Sequence, residues 1–188
     1  MMRPSVVFAI IWIGWIVSWI GASFWSARTE KRVATWPVWV SRVALLVGAI
    51  LLLHSTRRLL REPMLWHVGY DGAYTLAGLT LVGILFAWWA RIHLGRLWSG
   101  TITRKENHHV VDSGPYALVR HPIYTGLLLA ILGSAVAVDE YRGLLAVAIA
   151  TEAIVRKLRL EERWLTDEFG GEYDGYRRDV KALVPGVV

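Results

Sequence analysis

The chain contains no cysteine in its 188 residues. That absence excludes disulfide staples, cysteine-ligated metals and thiol nucleophiles together. Charge is scarce too: Asp, Glu, Lys and Arg make up only 19% of the residues, and they cluster between long uncharged runs. None occurs between Arg3 and Arg28. The chain also lacks the strand, glycine-rich turn and helix of a Rossmann nucleotide domain, as well as internal repeats, low-complexity tracts and heptad arrays. What it has in quantity is apolar surface, with 55% hydrophobic residues and 11 tryptophans and a mean hydropathy of +0.40. Such a chain is too apolar for an ordinary soluble domain and is expected to be an integral membrane protein. Its formal net charge of +6 fits Lys and Arg placed beside membrane spans better than a nucleic-acid surface.

Roughly 20 apolar residues suffice to cross a bilayer. Ser5 to Phe24 is expected as the first span; its length and the lack of a clear small-residue cleavage site argue against a signal peptide. Trp12, Trp15 and Trp19 recur on one helical face, which reads as packing or lipid contact. The second span runs from about Val38 to His54, with Arg42 snorkelling toward the head groups, and is closed by Ser55-Thr56-Arg57-Arg58. The third covers Ala73 to Ala90 and ends at Trp88-Trp89 in the interfacial aromatic belt. From Arg91 to His121 the chain is polar and basic, broken by Gly95, Gly100, Gly114 and Pro115, and is expected to be a partly ordered loop or re-entrant connection. Tyr124 to Val138 and Gly143 to Val155 form a helical hairpin around the polar turn Asp139-Glu140-Tyr141-Arg142. Its second helix continues out of the membrane through Arg156 to Glu168 and stops at Gly170-Gly171.

The expected fold class is therefore all-α. It is an integral membrane helical bundle of about five transmembrane helices, the last two a hairpin, with a short cytoplasmic C-terminal helical tail. One domain spans 1–188: three N-terminal spans over 1–90, then loop, hairpin and tail over 91–188. The distribution of Lys and Arg places the 91–121 loop and the C-terminus in the cytoplasm, although Arg57, Arg58 and Arg61 run against that orientation.

The stretch from Gly114 to Gly126 sets Arg120, His121, Tyr116 and Tyr124 directly before an uncharged span. Proline-interrupted polar chain at that depth is tolerated where it is buried in protein or lines a cavity. A hairpin brings Arg120 and His121 to the inner end of the last span, which carries Lys157, Arg159, Glu161 and Glu162. Lys157 and Glu161 share a helix face, either as a surface ion pair or as one cation and one anion shown to the same ligand. A ligand with an ammonium, a carboxylate and a flat base suits Glu161, a basic donor, and Tyr116 or Tyr124 in an apolar wall. S-adenosylmethionine fits that description, as do several nucleotide cofactors. His108, His109 and His121 have neither the spacing nor the carboxylate partners of a metal site, so no metal is expected.

These motifs are Leu97-Trp98-Ser99, His108-His109-Val110-Val111, Gly114-Pro115-Tyr116, Arg120 to Gly126, Glu161-Glu162, and Phe169 to Tyr173 with Tyr176 and Pro185. Together they resemble the isoprenylcysteine carboxyl methyltransferase family and its prokaryotic relatives, integral membrane enzymes that use S-adenosylmethionine without a Rossmann domain. The resemblance covers about Trp98 to Pro185. It implies cofactor contacts at His108, Val110, Val111, Tyr116, His121, Pro122, Ile123, Tyr124 and Glu161. In the eukaryotic enzymes an Arg four residues before that Glu handles the substrate carboxylate. Lys157 stands there in this chain, and an ammonium cannot make the bidentate fork of a guanidinium. Either Arg159 compensates or the acceptor is not a carboxylate. Lys157, Arg159, Arg120 and Glu162 are the candidate catalytic group, with Glu162 as base if the nucleophile is an amine or hydroxyl.

The implied reaction is direct displacement at a sulfonium methyl, in which the protein aligns the reactants and excludes water. A lipid-like or isoprenoid acceptor is expected, with carboxyl methylation favoured; phospholipid amines, isoprenoid acids and small thiols stay open. Two other readings compete. One is an NADPH-dependent membrane reductase of the sterol type, which needs more basic groups and more spans. The other is a non-catalytic membrane scaffold.

Overall fold

Proline stands at or just inside the start of three helices, at Pro4, Pro37 and Pro122, where its fixed φ favours the first turn and its missing N–H costs nothing. The computed structural model describes residues 2–26, 29–32, 36–53, 65–99, 103–105 and 109–187. Among the described residues the α-helices are α1 (Pro4–Ser23), α2 (Trp36–Leu53), α3 (Tyr70–Leu94), α4 (Pro122–Val138), α5 (Tyr141–Phe169) and α6 (Gly171–Asp179). The basic stretch after α3 is not loop alone. Its strand β2 (Thr103–Lys105) pairs antiparallel with β1 (Thr29–Arg32), which follows α1. Neither strand shows an apolar alternation, so this small departure from an all-α fold left no pattern to read.

Helix α3 packs most extensively against α4, and α2 against α5; α4 also packs on α5 and α1 on α3. The sequence of neighbours is thus α1, α3, α4, α5, α2. The α3–α4 seam is built from small residues, including Ala77, Gly83 and Ala87 on one side and Gly126, Ala130 and Gly133 on the other. A Cβ added at Gly83 would lie 2.5 Å from the Gly126 carbonyl oxygen and 2.7 Å from the Ala130 nitrogen. One added at Gly126 would run into the Gly83 carbonyl in turn. Such close approach lets dispersion hold helices together where no hydrophobic drive separates them from lipid. Ser134 adds polar contacts to the seam. Its hydroxyl donates to the Ala130 carbonyl at 2.9 Å and accepts from Trp12 Nε1 at 3.0 Å, which ties α1 to α4.

The outer surface is apolar. Ile10, Ile13, Val17 and Ile20 of α1, Leu46 and Ile50 of α2, Val82 and Leu85 of α3, and Leu144 and Leu145 of α5 are all exposed. A belt of that extent needs lipid to cover it. Helix α1 and the stretch Tyr70–Leu97 are long and apolar enough to cross a membrane; Trp39–Leu52 and Pro122–Val138 are shorter apolar helices. The protein is a helical membrane protein.

Two buried arginines close helix ends, where the last carbonyls have no partner within the helix. Arg91 is fully buried and donates to the carbonyls of Ala22 (2.7 Å), Trp25 (2.9 Å) and Gly95 (2.7 Å), joining the ends of α1 and α3. Its guanidinium also lies 4.5 Å from the Trp98 ring centroid. At the opposite end Arg142 pairs with Glu140 at 2.7 Å and donates to the carbonyls of Leu51 and Leu52 near the end of α2. In the polar 139–142 turn Glu140 and Arg142 are thus both buried, whereas Tyr141 is exposed.

Replacing Gly126 by Ala is expected to cost about 1–3 kcal/mol through overpacking of the seam. Gly78→Ala, whose added Cβ would meet nothing within 4 Å, leaves stability unchanged or slightly higher; thermal unfolding in detergent distinguishes the two.

Candidate functional site

The chain enters the site through the turn Gly114–Ala117. Gly114 takes φ +59°, a left-handed conformation that favours glycine, and an added Cβ would meet the His93 ring at 2.6 Å. His93 Nε2 lies 3.0 Å from Ser113 Oγ, and its ring stacks on Tyr116. The C-terminal segment fastens the same turn from the other side: Tyr176 Oη donates to the Tyr116 carbonyl at 2.6 Å. The backbone N–H groups of Arg120 and His121 then donate to the carbonyls of Lys181 (2.8 Å) and Ala182 (3.0 Å). His121 is thereby set at the N-cap of α4, with Pro122 opening the helix.

Across from it, α5 presents two adjacent carboxylates with different partners. Glu162 Oε1 accepts from Arg120 Nη2 at 2.6 Å and Nε at 2.9 Å, and lies 3.3 Å from His121 Nε2. Glu161 Oε1 accepts from Tyr124 Oη at 2.7 Å and lies 3.7 Å from Lys157 Nζ. His121 stacks on Tyr124 with ring centroids 5.6 Å apart, and Lys157 Nζ sits 5.3 Å from the centroid of the Tyr124 ring. Burial alone would raise the Glu162 carboxyl, but hydrogen bonds from His121 and Arg120, and their charge, overcome it and hold the group at about 2. Burial pushes the phenols of Tyr116, Tyr173 and Tyr176 up, so they act as neutral hydroxyls.

These groups face a cavity of about 430 Å³, in the size range of small-molecule sites. Val110, Val111, Tyr116, Arg120, His121, Pro122, Ile123, Tyr124, Lys157 and Glu161 all line it. Glu162 stands behind this wall, bound to two residues that form it. Arg159 does not join the group; it lines a separate hollow on another face of α5. His108 lies outside the described residues, whereas His109 lines the cavity.

The opposite wall comes from residues that the sequence reading assigned elsewhere. Trp15 and Trp19, read as packing or lipid contact, line the cavity, and Trp19 stacks edge-on against Trp98, also in the wall. Arg42, read as snorkelling to the head groups, lines it from α2, level with a cation–π contact to Trp39 at 5.4 Å. Tyr173 and Tyr176 of α6 complete it. The shared face of Trp15 and Trp19 was visible in their spacing; what that face meets depends on the packing of α1 against α3, which no local pattern records.

Fold and cavity define a helical membrane protein with a charged, aromatic-walled pocket at one end of its bundle. Residues 76–167 match the model of the Isoprenylcysteine carboxyl methyltransferase (ICMT) family. It is 32% identical over 160 residues to the cobalt-zinc-cadmium resistance protein CzcN of Cupriavidus metallidurans, which covers 84% of this chain and 65% of that protein. It is 29% identical over 99 residues to the protein-S-isoprenylcysteine O-methyltransferase of Schizosaccharomyces pombe, 51% of this chain and 42% of that one. It is 41% identical over 70 residues to methanethiol S-methyltransferase 1 of Bradyrhizobium diazoefficiens, 37% of this chain and 24% of that one. The chain thus spans less than two thirds of each of these relatives.

A carboxyl held below its ordinary value of 4.5 at about 2 stabilises the fold fully above pH 4.5 and loses that contribution as pH falls toward 2. Glu162→Gln is expected to remove this part of the acid limb and to lower the unfolding midpoint at pH 7. An acid limb identical to wild type would show that the carboxylate carries none of it.

Proposed function

We propose that the protein is an S-adenosylmethionine-dependent methyltransferase with about five membrane spans that acts on an apolar, lipid-like acceptor. One observation carries the reading: Glu161 and Lys157 face the same cavity as Tyr116, Tyr124 and a tryptophan wall. The donor set suits the cofactor part by part. Glu161 would hold its ammonium, Lys157 or Arg120 its carboxylate, and Tyr116, Tyr124 or the tryptophan wall its base. When bound, S-adenosylmethionine supplies an electrophilic methyl on sulfur.

The protein's own contribution is alignment and the exclusion of water. Tyr124 and Lys157 fix the orientation of Glu161, and His121 and Arg120 fix the helix face that carries it. Glu162 makes a poor general base, because a group held near 2 is far from the pKa at which a base works at neutral pH. That favours a nucleophile that is already an anion, such as a carboxylate or, as the name of the Bradyrhizobium relative suggests, a thiolate. With Arg159 turned away, Arg42, Lys157 and Arg120 are the cations of the cavity wall. Of these, Arg42 is on the tryptophan side and offers the planar fork that Lys157 lacks.

The α1 and α2 helices stand at the two ends of the helix row, and both contribute to the wall. An acceptor from the bilayer would enter between them, apolar part against Trp15, Trp19 and Leu45. The basic C-terminal segment and the polar end of the cavity face the cytoplasm in this arrangement.

Calorimetry on detergent-purified protein is expected to show binding of S-adenosylhomocysteine, weakened about 10- to 100-fold in Glu161→Ala by loss of charged hydrogen bonds, and no binding of NADPH. Binding of NADPH alone would place the protein among reductases. Arg42→Gln is expected to raise KM for a carboxylate acceptor about tenfold while leaving the affinity for S-adenosylhomocysteine unchanged; a parallel loss of both would assign Arg42 to the fold instead.

A further inference from the structure

Arg159 and Arg163 are one turn apart on a face of α5 that does not line the cavity. With Glu162, Thr166 and Asp167 of the same helical stripe, and Arg177 of α6, they line a hollow of about 390 Å³. Like charges at i and i+4 repel, and among the described residues neither Arg159 nor Arg163 has a hydrogen-bond or ion-pair partner. Thr166 Oγ1, in the same hollow, is buried with no partner. Of the two carboxylates, Glu162 is already engaged by Arg120 and His121, and Arg177 Nε lies 3.9 Å from its Oε2. Asp167, like Arg159 and Arg163, is exposed, and the hollow keeps a surplus of positive charge. Two adjacent exposed guanidinium groups and a buried hydroxyl suit a compact anion with several acceptor oxygens.

Depth narrows the choice. The apolar part of α5 ends near Val155, and Arg159 lies four residues further on, about 6 Å along the axis. That is the level of head-group phosphates, where basic side chains attract anionic lipid. We propose that this hollow binds the phosphate of an anionic phospholipid head group. The site is separate from the cavity, and Glu162 links the two: it lines the hollow and binds Arg120 and His121 of the cavity wall. A phosphate that draws Arg177 toward itself leaves Glu162 to Arg120 and His121, so the lipid tightens the wall of the cavity from behind. The assignment does not depend on the methyltransferase reading.

The test is thermal unfolding of the detergent-purified protein titrated with dioctanoyl-phosphatidylglycerol, dioctanoyl-phosphatidylcholine or inorganic phosphate. Phosphatidylglycerol is expected to raise the midpoint by at least about 3 °C and phosphatidylcholine to leave it unchanged. The Arg159→Gln/Arg163→Gln variant should lose the shift. Arg156→Gln/Arg178→Gln, which removes the same charge elsewhere, should keep it. An equal shift with phosphatidylcholine, or a shift retained in the first variant, overturns the proposal; an equal shift with inorganic phosphate overturns the lipid assignment in favour of a free anion.

Discussion

Glu162 accepts two hydrogen bonds from Arg120 and a third contact from His121, and most of the site depends on that junction. Arg120 reaches on to the carbonyls of Arg177 and Val180, so the same guanidinium binds α5 to the C-terminal segment. That segment in turn accepts the backbone N–H groups that lead into α4. Successive residues on a helix point about 100° apart. Once Glu162 is anchored behind the wall, Glu161 is turned into the cavity, where Tyr124 and Lys157 hold it. A carboxylate with charged partners at 13% side-chain exposure is costly to leave unpaired, which makes the junction a strong constraint on how the hairpin and the tail meet.

The remaining buried charges serve the membrane fold. Arg91 and Arg142 spend their donors on the carbonyls at helix ends, one at each end of the bundle. In hydrocarbon such carbonyls have no water to turn to. Arginine suits the task because its planar fork reaches several acceptors at once. Arg91 sits between the indoles of Trp25 and Trp98, so an arm of the structural cap is also part of the tryptophan wall that borders the cavity.

Much of the site was legible because it is local. Arg120 to Gly126 and Glu161-Glu162 are short motifs, and a hairpin of two apolar runs needs only a turn to bring them together. The expected ends of the first, third and fourth apolar helices fall within a few residues of those observed. The rest depended on contacts distant in sequence. Arg159 and Glu161 differ by two positions, which on a helix is most of the way to the opposite face, and the direction of that face became clear only from the packing of α5. Arg42 could equally have pointed to lipid, since an amphipathic side chain near a span end has both options. The ribbon of β1 and β2 joins segments some 70 residues apart and has no apolar side to betray it. The turn Asp139 to Arg142 was legible as polar, but the burial of Glu140 and Arg142 depends on carbonyls of α2 about 90 residues away in sequence.

An anchored pair of carboxylates, a cation on each side of the cavity and a tryptophan wall form one chemical arrangement, and the proposed transfer of a methyl group to an anionic, lipid-like acceptor rests on it. The most direct test is incorporation of tritium from methyl-labelled S-adenosylmethionine into the organic-extractable fraction of membranes that contain the protein. Label in that fraction with wild-type protein, and its loss with Glu161→Ala at equal expression, is the expected result. Label that is absent with wild type, or equal in both, would contradict the account.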